Sequence, residues 1–279
     1  MGLADEASRR VASVAMTLEP GWELSEGGQA LRCKAIPFAH GFSTRLGGVS
    51  TGAFATLNLA ADKSDDPAAV TENRRRFAAA AGLSGAWLAL DQVHGSEVVV
   101  VSRADLAPDA RGDALATATP GLPIAAQVAD CVPVLLADIK GRAVAAVHSG
   151  WRGTVAGVLP AAILALTRLG VDPADIVAAI GPAARKCCYE VGDEVVAALE
   201  ETSPPTPVDD REGWLGQGPR RWHVDLPVVL RRQLRVAGIR PDNIHDAGLC
   251  TICRGDLVFS YRRDGLDSGR MVAAIELSR

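Results

Sequence analysis

The sequence has little of what membrane proteins, nucleic-acid-binding proteins and multicopper oxidases require. No stretch approaches the ~20 consecutive apolar residues of a membrane-spanning helix, so we expect no membrane association. The formal net charge of -4 provides no broad basic surface, and nucleic acid is therefore not an expected partner. Only five histidines occur in 279 residues, far from the dense histidine clusters of a multicopper site. These absences favour a small-molecule partner.

The six cysteines would suggest disulfides in a short secreted chain, but this chain is long. Its first residues, MGLADEASRRVASVAM, mix charged and apolar types instead of forming a signal pattern. We therefore expect a reducing, cytoplasmic setting, in which a cysteine is a thiol, a metal ligand or a nucleophile. Hydrophobic residues make up 48% of the chain and charged residues 22%, which is the balance of a globular protein.

Residues 1–30 mix charges and glycines, and we expect a poorly defined segment there, followed by a single catalytic domain over residues 31–279. Apolar runs bounded by turn residues then predict alternating strands and helices. Pro160 predicts a kink or a late helix start, and SPPTPVDDREG from Ser203 predicts a surface loop. The predicted strands are residues 87–90, 97–101, 123–128, 132–138, 143–147 and 176–180, the predicted helices are residues 67–81, 193–201 and 225–236 with another ending at 169, and residues 244–277 look strand-rich.

Three residues of metal-ligand type lie where an apolar strand ends or breaks: His94, Cys131 and His148. Zinc accepts imidazole nitrogen and thiolate sulfur, and a catalytic zinc uses three protein ligands and leaves its fourth position to water. The metal lowers the pKa of that water towards neutrality. Asp130 is adjacent to the cysteine and is a candidate for orienting the water or moving its proton. The pattern therefore predicts a catalytic zinc centre, with copper as the alternative metal.

Several longer blocks carry a resemblance that covers nearly the whole chain from His40. They are HGFSTRLGGVS with LNLA, DQVHG, ADCVPVLLAD, VAAVHSGWRGT, AAIGPA with YEVG, and CT followed by FSYRRD and GRM. In this order they resemble the laccase-domain family of multifunctional purine nucleoside enzymes, formerly called polyphenol oxidases. The resemblance implies an α+β fold of mixed sheets with flanking helices, and a zinc on His94, Cys131 and His148. It also implies phosphorolysis of adenosine, inosine, guanosine and S-methyl-5'-thioadenosine, together with deamination of adenosine.

The expected partners are thus a purine nucleoside and phosphate, bound by a monomer or weak homo-oligomer. Phosphate binding calls for fixed cations, and guanidinium offers a planar fork suited to phosphate. The candidates are Arg45, Arg152 and Arg262, each in a motif segment. Gln92 lies two residues before His94 and would share its face in a strand, and Asn58 is a further candidate for substrate contact. Salt bridges and turn hydrogen bonds are the alternative roles for these side chains.

Two other reactions remain open. One is copper-dependent phenol oxidation, since histidine sites favour copper over zinc by raw affinity. The other is a metal-free hydrolase in which Cys131 is the nucleophile; members of the resembled family have been linked to editing of peptidoglycan precursors. A nucleotide-binding protein without activity is the non-enzymatic alternative.

The remaining cysteines also need an interpretation. Cys250 and Cys253 form C-x-x-C, but Cys187 and Cys188 are adjacent, whereas structural zinc sites usually space their ligands by at least two residues. We therefore expect ordinary buried thiols at these four positions.

Overall fold

The computed structural model describes residues 18–61, 64–102, 110–202, 211–218 and 221–278. Most of the predicted N-terminal segment and surface loop, namely residues 1–17 and 203–210, lies outside the described residues. The strands in chain order are β1 Trp22–Leu24, β2 Ala30–Cys33, β3 Ala39–Ser43, β4 Val98–Val100, β5 Ala114–Thr117, β6 Ile124–Val128, β7 Val132–Asp138, β8 Val144–Ser149, β9 Ile176–Ile180, β10 Glu190–Val191, β11 Leu215–Gln217, β12 Trp222–Val224, β13 Ile244–Asp246 and β14 Met271–Glu276. The helices are α1 Pro67–Ala81, α2 Trp151–Ala156, α3 Val158–Arg168, α4 Asp193–Thr202, α5 Arg211–Trp214, α6 Leu226–Val236 and α7 Tyr261–Asp264.

Two large sheets form the centre of the molecule. One has five strands in the order β1-β2-β3-β14-β6, and the other has six in the order β13-β9-β7-β8-β5-β4. A smaller sheet, β10-β12-β11, lies beside them. A shared apolar core joins the two large sheets, with Leu135 and Ala146 of the six-stranded sheet packing with Ile275 and Phe42 of the five-stranded sheet.

Strand β7 shows why the six-stranded sheet is apolar on both faces. Successive side chains of a strand point to opposite faces. Leu135 and Ala137 face the five-stranded sheet, while Val134 and Leu136 pack in a second core with α3 and α6. All seven residues of β7 are buried, and the strand sequence VPVLLAD is therefore a nearly continuous apolar run, without alternation of apolar and polar residues.

Helix α1 covers the outer face of the five-stranded sheet, where Phe77 and Ala81 pack against Val272 and Ala274. The molecule therefore has four layers, helix, sheet, sheet and helices, which confirms the expected α+β fold. The Asp66 side chain accepts from the Ala68 N–H at the start of α1, with proline in the first turn as the sequence predicts. Within the described residues, no helix is both long and apolar enough to cross a bilayer.

Two local expectations are corrected and one is confirmed. Residues 87–90 do not form a strand, because only Leu88 makes a bridge to the five-stranded sheet, at Ile124. The kink or late helix start expected from Pro160 is confirmed, because the helical segment is interrupted at Gly157, which has a φ of 81°, and α3 begins at Val158. The ordered chain begins before Leu31, since Trp22–Leu24 pairs with residues 31–33 and Trp22 is buried.

Candidate metal centre

One end of the neighbouring strands β7 and β8, inside the six-stranded sheet, brings together His94, Cys131 and His148, which we call the His-Cys-His site. Cys131 directly precedes β7, and His148 is the penultimate residue of β8, paired with Pro133. His94 lies in the turn before β4 and has a φ of 59°, a left-handed conformation that is uncommon outside glycine. One ligand atom from each residue lies within 4.8 Å of the others. The fold therefore gathers the three predicted ligands, which are 54 positions apart from first to last.

Asp113 fixes both histidines of the site. It directly precedes β5, whose first residue Ala114 pairs with Val147, so its carboxylate is level with His148. His148 Nδ1 donates to Asp113 Oδ1 at 2.8 Å, and the backbone N–H groups of His94 and Gly95 donate to the two carboxylate oxygens at 2.9 and 2.7 Å. Because Nδ1 of His148 is engaged, its Nε2 is the nitrogen available as a ligand.

The turn that carries Cys131 is held by its neighbour, Asp130. Asp130 has a φ of 85°, and its two carboxylate oxygens accept from the Thr251 hydroxyl at 2.5 Å and from the Arg262 backbone N–H at 2.6 Å. Its carbonyl accepts from the Ala184 N–H at 2.9 Å. These bonds connect the loop before β7 to two distant segments and set the direction of the cysteine side chain.

The three side chains are packed closely. Cys131 Sγ lies 3.8 Å from His94 Nε2, and the two imidazole rings meet edge to face with centroids 4.8 Å apart. A Cβ added to Gly150 would lie 2.9 Å from Cys131 Sγ and 3.0 Å from His94 Cδ2. Glycine at position 150 therefore leaves room for the cysteine and histidine side chains.

The protonation states favour a thiolate in contact with imidazole. Burial by itself raises the pKa of Cys131, but hydrogen bonds to His148 and His94 lower it to about 6. Burial lowers the pKa of His148, but the bonds to Asp113 and Cys131 outweigh it and raise that pKa to about 9. A positive charge is thus stabilised beside the sulfur, and a divalent cation would replace the proton in that role.

This donor set fits a transition-metal ion. Thiolate and imidazole suit zinc and copper, and three protein ligands match a catalytic zinc site with one position left open. The site opens into a cavity of ≈ 660 Å³. The walls of this cavity are formed by Ala89, Leu90, Asp91, Gln92, His94, Gln127, Val128, Ala129, Cys131, His148, Tyr261, Leu266 and Arg270. Its size is that of a small-molecule site.

The family model described as multi-copper polyphenol oxidoreductase laccase matches residues 39–278. The chain belongs to this family. A Deinococcus radiodurans protein named purine nucleoside phosphorylase is 42% identical over 250 residues, covering 89% of this chain and 93% of the relative. Purine nucleoside phosphorylase YlmD of Geobacillus stearothermophilus is 38% identical over 258 residues, covering 88% and 93%.

Solved structures of the family support the fold assignment. The crystal structure of YlmD from Geobacillus stearothermophilus has a TM-score of 0.81 at 37% identity, covering 93% of this chain and 97% of that one. Bacillus licheniformis YfiH has a TM-score of 0.84 at 31% identity, covering 93% of this chain and 100% of that one. The resemblance seen in the sequence motifs is confirmed.

In this laccase-family chain, hydrogen bonds within the protein hold two of the predicted substrate contacts, Gln92 and Asn58. Gln92 lines the cavity, but its amide is paired with the backbone of Gln127 by two 2.7 Å hydrogen bonds. Asn58 is fully buried and bonds to Asp65 and to the Arg270 N–H. Because Asn58 is fully buried and its amide is bonded within the protein, these contacts do not favour a role in substrate binding, which stays a prediction.

The three predicted arginines also differ in position. Arg45 donates to the carbonyls of Ala55 and Gly255 and lies over the Phe259 ring, so it holds loops together. Arg152 is exposed and lies over the ring of its neighbour Trp151.

Arg262 lies over the Tyr189 ring and donates to the Glu190 carbonyl. Burial is the main cause that raises the pKa of Tyr189 to about 12, with contributions from the charges of Cys131 and Asp130 that Arg262 and Arg152 oppose. Arg152 and Arg262 therefore lie on the Tyr189 side of the site.

The sequence motifs did not identify two residues of the site, Asp113 and Arg270. Asp113 is one of them, because it directly precedes the short strand β5, which is not among the strands that the sequence predicts. Arg270 lies in the GRM block and lines the cavity, with its guanidinium 5.5 Å from the Tyr261 ring. The sequence offers no period or spacing that connects Arg270 to His94.

Proposed function

We propose that this chain is a zinc-dependent purine nucleoside enzyme that phosphorolyses adenosine, inosine, guanosine and S-methyl-5'-thioadenosine and deaminates adenosine. One observation carries the proposal: a two-histidine, one-cysteine ligand set opens into a cavity large enough for a nucleoside. The relatives named purine nucleoside phosphorylase support the substrate class.

His94, Cys131 and His148 would hold the zinc. When bound there, zinc would supply a positive charge that polarises water and stabilises developing negative charge. Asp113 holds His148 with Nδ1 protonated and Nε2 free to act as a ligand. Asp130 acts through position, because both of its carboxylate oxygens are already bonded within the protein.

The substrate would lie in the cavity with its base near Tyr261. This ring is 46% exposed at the cavity wall, and a purine offers it an apolar face for stacking. Arg270 lies beside it and would contribute a cation towards the ribose or the phosphate. Arg262 and Arg152 are the further candidates for phosphate, and Gln92 for the base or ribose.

The test is incubation of the full chain with adenosine, with and without inorganic phosphate, followed by chromatography of the products. We expect adenine only with phosphate, and inosine in both reactions; hypoxanthine would follow from inosine when phosphate is present. The Cys131→Ser variant should lose these products while its circular dichroism stays unchanged. Absence of adenine, inosine and hypoxanthine with the wild-type chain would contradict the proposal.

A second candidate follows from the low pKa of Cys131. A thiolate beside His148, whose Nδ1 is bonded to Asp113, has the order of groups found in cysteine hydrolases. Such an enzyme would act without metal, with peptidoglycan precursors as the candidate substrate. Activity that survives exhaustive chelation but is lost in Cys131→Ser would favour it.

Metal analysis separates zinc from copper. Protein purified without added metal should contain zinc, and stoichiometric copper with phenol turnover would instead favour the oxidase. The described chain has one cluster that combines histidine and cysteine, whereas oxygen reduction by a multicopper enzyme needs several coppers.

A further inference from the structure

Four of the six cysteines meet in a second cluster, separate in sequence from the His-Cys-His site. The four-cysteine cluster consists of Cys187, Cys188, Cys250 and Cys253, whose sulfur atoms all lie within 4.8 Å of one another. Cys253 Sγ lies 3.5 Å from Cys187 Sγ and 3.3 Å from Cys188 Sγ. All four are free thiols in the structure.

Backbone pairing brings the two cysteine-bearing turns together. Ala183 forms a parallel bridge with Cys250, and the Thr251 N–H donates to the Ala183 carbonyl at 3.0 Å. The first turn closes with the Cys188 N–H on the Arg185 carbonyl, and the second with the Arg254 N–H on the Cys250 carbonyl. Backbone hydrogen bonds therefore bring the four sulfurs together.

Arg185 adds a second restraint to the first turn. Its guanidinium is largely buried and forms ion pairs with Asp225 at 3.1 Å and with Asp246 at 2.7 Å. Asp225 also caps α6, and Asp246 ends β13. Arg185, which begins the turn, is thus held to α6 and to β13.

The distances fit a tetrathiolate metal ion. With a zinc–sulfur bond of about 2.3 Å, the edge of a regular tetrahedron of sulfurs is about 3.8 Å. Two sulfur pairs, at 3.3 and 3.5 Å, are near this edge, and all four sulfurs lie within 4.8 Å of one another. A disulfide bond joins two sulfurs about 2.05 Å apart, and the two measured separations are well above that length.

Burial argues against ordinary core thiols, which the sequence led us to expect. Cys187 and Cys253 are exposed, Cys188 is half-buried, and only Cys250 is buried. Adjacent cysteines are unusual metal ligands, but here both neighbours reach the same sulfur, that of Cys253. The three thiols that are exposed or half-buried contribute little to an apolar core, whereas soft thiolate ligands select zinc, copper(I) and iron.

We propose that the four-cysteine cluster binds a zinc ion that has a structural role. Binding takes up one Zn²⁺ and releases the protons of the four thiols to solvent, with no change of oxidation state. Four protein ligands close the coordination sphere, so this ion activates no water. The proposal does not depend on the activity proposed for the His-Cys-His site.

The position of the cluster gives the ion a consequence for that site. Thr251, between Cys250 and Cys253, donates its hydroxyl to Asp130, the neighbour of the ligand Cys131. Tyr189 follows Cys188 directly and lies under the Arg262 guanidinium. The ion would therefore fix two segments that position the Cys131 loop and Arg262.

The experiment compares the zinc content of single variants of the full chain. Wild type, Cys253→Ser and Cys188→Ser are produced with zinc chloride in the medium and purified under reductant without chelator, and zinc per chain is measured by plasma mass spectrometry. Cys33→Ala is the matched control, because Cys33 is a buried thiol outside both sites. We expect each cluster variant to hold one equivalent less than Cys33→Ala, whatever the occupancy of the His-Cys-His site.

Two measurements keep the test valid if a cluster variant does not fold. In the Cys131→Ser variant, which lacks the thiolate of the His-Cys-His site, a mercurial thiol reagent should release this equivalent of zinc. In the His94→Ala variant, cobalt chloride should give the intense sulfur-to-metal absorption of a tetrathiolate complex. Equal zinc in all variants would overturn the proposal, and so would a Cys253 disulfide to Cys187 or Cys188 in freshly purified wild-type protein.

Discussion

Asp113 and His148 are joined twice, once through their side chains and once through the backbone. His148 Nδ1 donates to Asp113 Oδ1 at 2.8 Å, and the His148 N–H donates to the Asp113 carbonyl at 2.7 Å. The first bond sets the tautomer of the imidazole, and the second keeps the strands β5 and β8 in the register that places the ring. The same carboxylate holds the turn of His94.

This relationship predicts the effect of Asp113→Asn on metal binding. The amide would keep the shape of the side chain but lose the charge that supports His148, and it cannot accept every bond that the carboxylate accepts. Loss of such a partner typically reduces metal affinity by 10- to 100-fold. We expect a decrease of about 10-fold or more in the zinc affinity of the His-Cys-His site, measured by chelator competition in a Cys253→Ser background.

Asp242→Asn is the control for that measurement, because Asp242 is exposed and lies in a distant turn. An unchanged zinc affinity in Asp113→Asn would contradict the supporting role assigned to this carboxylate.

Gly150→Ala should disturb the His-Cys-His site without unfolding the chain. Gly150 has a φ of -78°, which alanine adopts freely, so the effect would come from its Cβ alone. That atom would lie 2.9 Å from Cys131 Sγ, and the sulfur or the His94 ring would have to move. We expect loss of most catalytic activity and of the metal, with an unfolding midpoint close to that of wild type.

Gly85→Ala is the matched variant, since a Cβ at position 85 meets no atom within 4 Å. Full activity and full metal content in Gly150→Ala would show that the site has more room than the structure indicates.

Tyr261→Ala tests where the purine base binds. The ring lines the cavity and is half-exposed, and stacking on an aromatic ring contributes about 1 kcal/mol. We expect KM for adenosine to rise by about 5- to 10-fold with a smaller change in kcat, and Tyr261→Phe to behave like wild type, because it keeps the ring. Equal KM values for all three proteins would remove Tyr261 from the binding site.

The sequence predicted the parts of the molecule that depend on local pattern. The apolar run of β7 and the cap and proline of α1 are visible in consecutive residues, and the candidate ligand residues beside strand ends are visible as interruptions of such runs. Asp113 and the cavity residue Arg270 depend on pairing between distant strands, which no local spacing reports. The sequence did not predict that the four cysteines cluster, for the same reason. The bridge between Ala183 and Cys250 brings the two cysteine-bearing turns together.

His40 predicts how the stability of the protein depends on pH. Its Nδ1 donates to the Phe38 carbonyl at 2.7 Å, and its Nε2 accepts from the Cys33 N–H at 3.0 Å. This pair of partners requires a neutral ring, because a proton on Nε2 would face the proton of Cys33. Burial is the main cause that lowers the pKa of His40, from 6.5 to about 4.

Between these two values the unfolded chain binds a proton at His40 and the folded chain does not, so stability falls as the pH falls through this window. The loss attributable to His40 is about 3 kcal/mol over the window. Denaturant unfolding of wild type and His40→Gln at several pH values measures it. The variant should be less stable at neutral pH, and its free energy of unfolding should fall less steeply between pH 6.5 and about 4. Parallel pH profiles for the two proteins would show that His40 is not the residue that takes up the proton on unfolding.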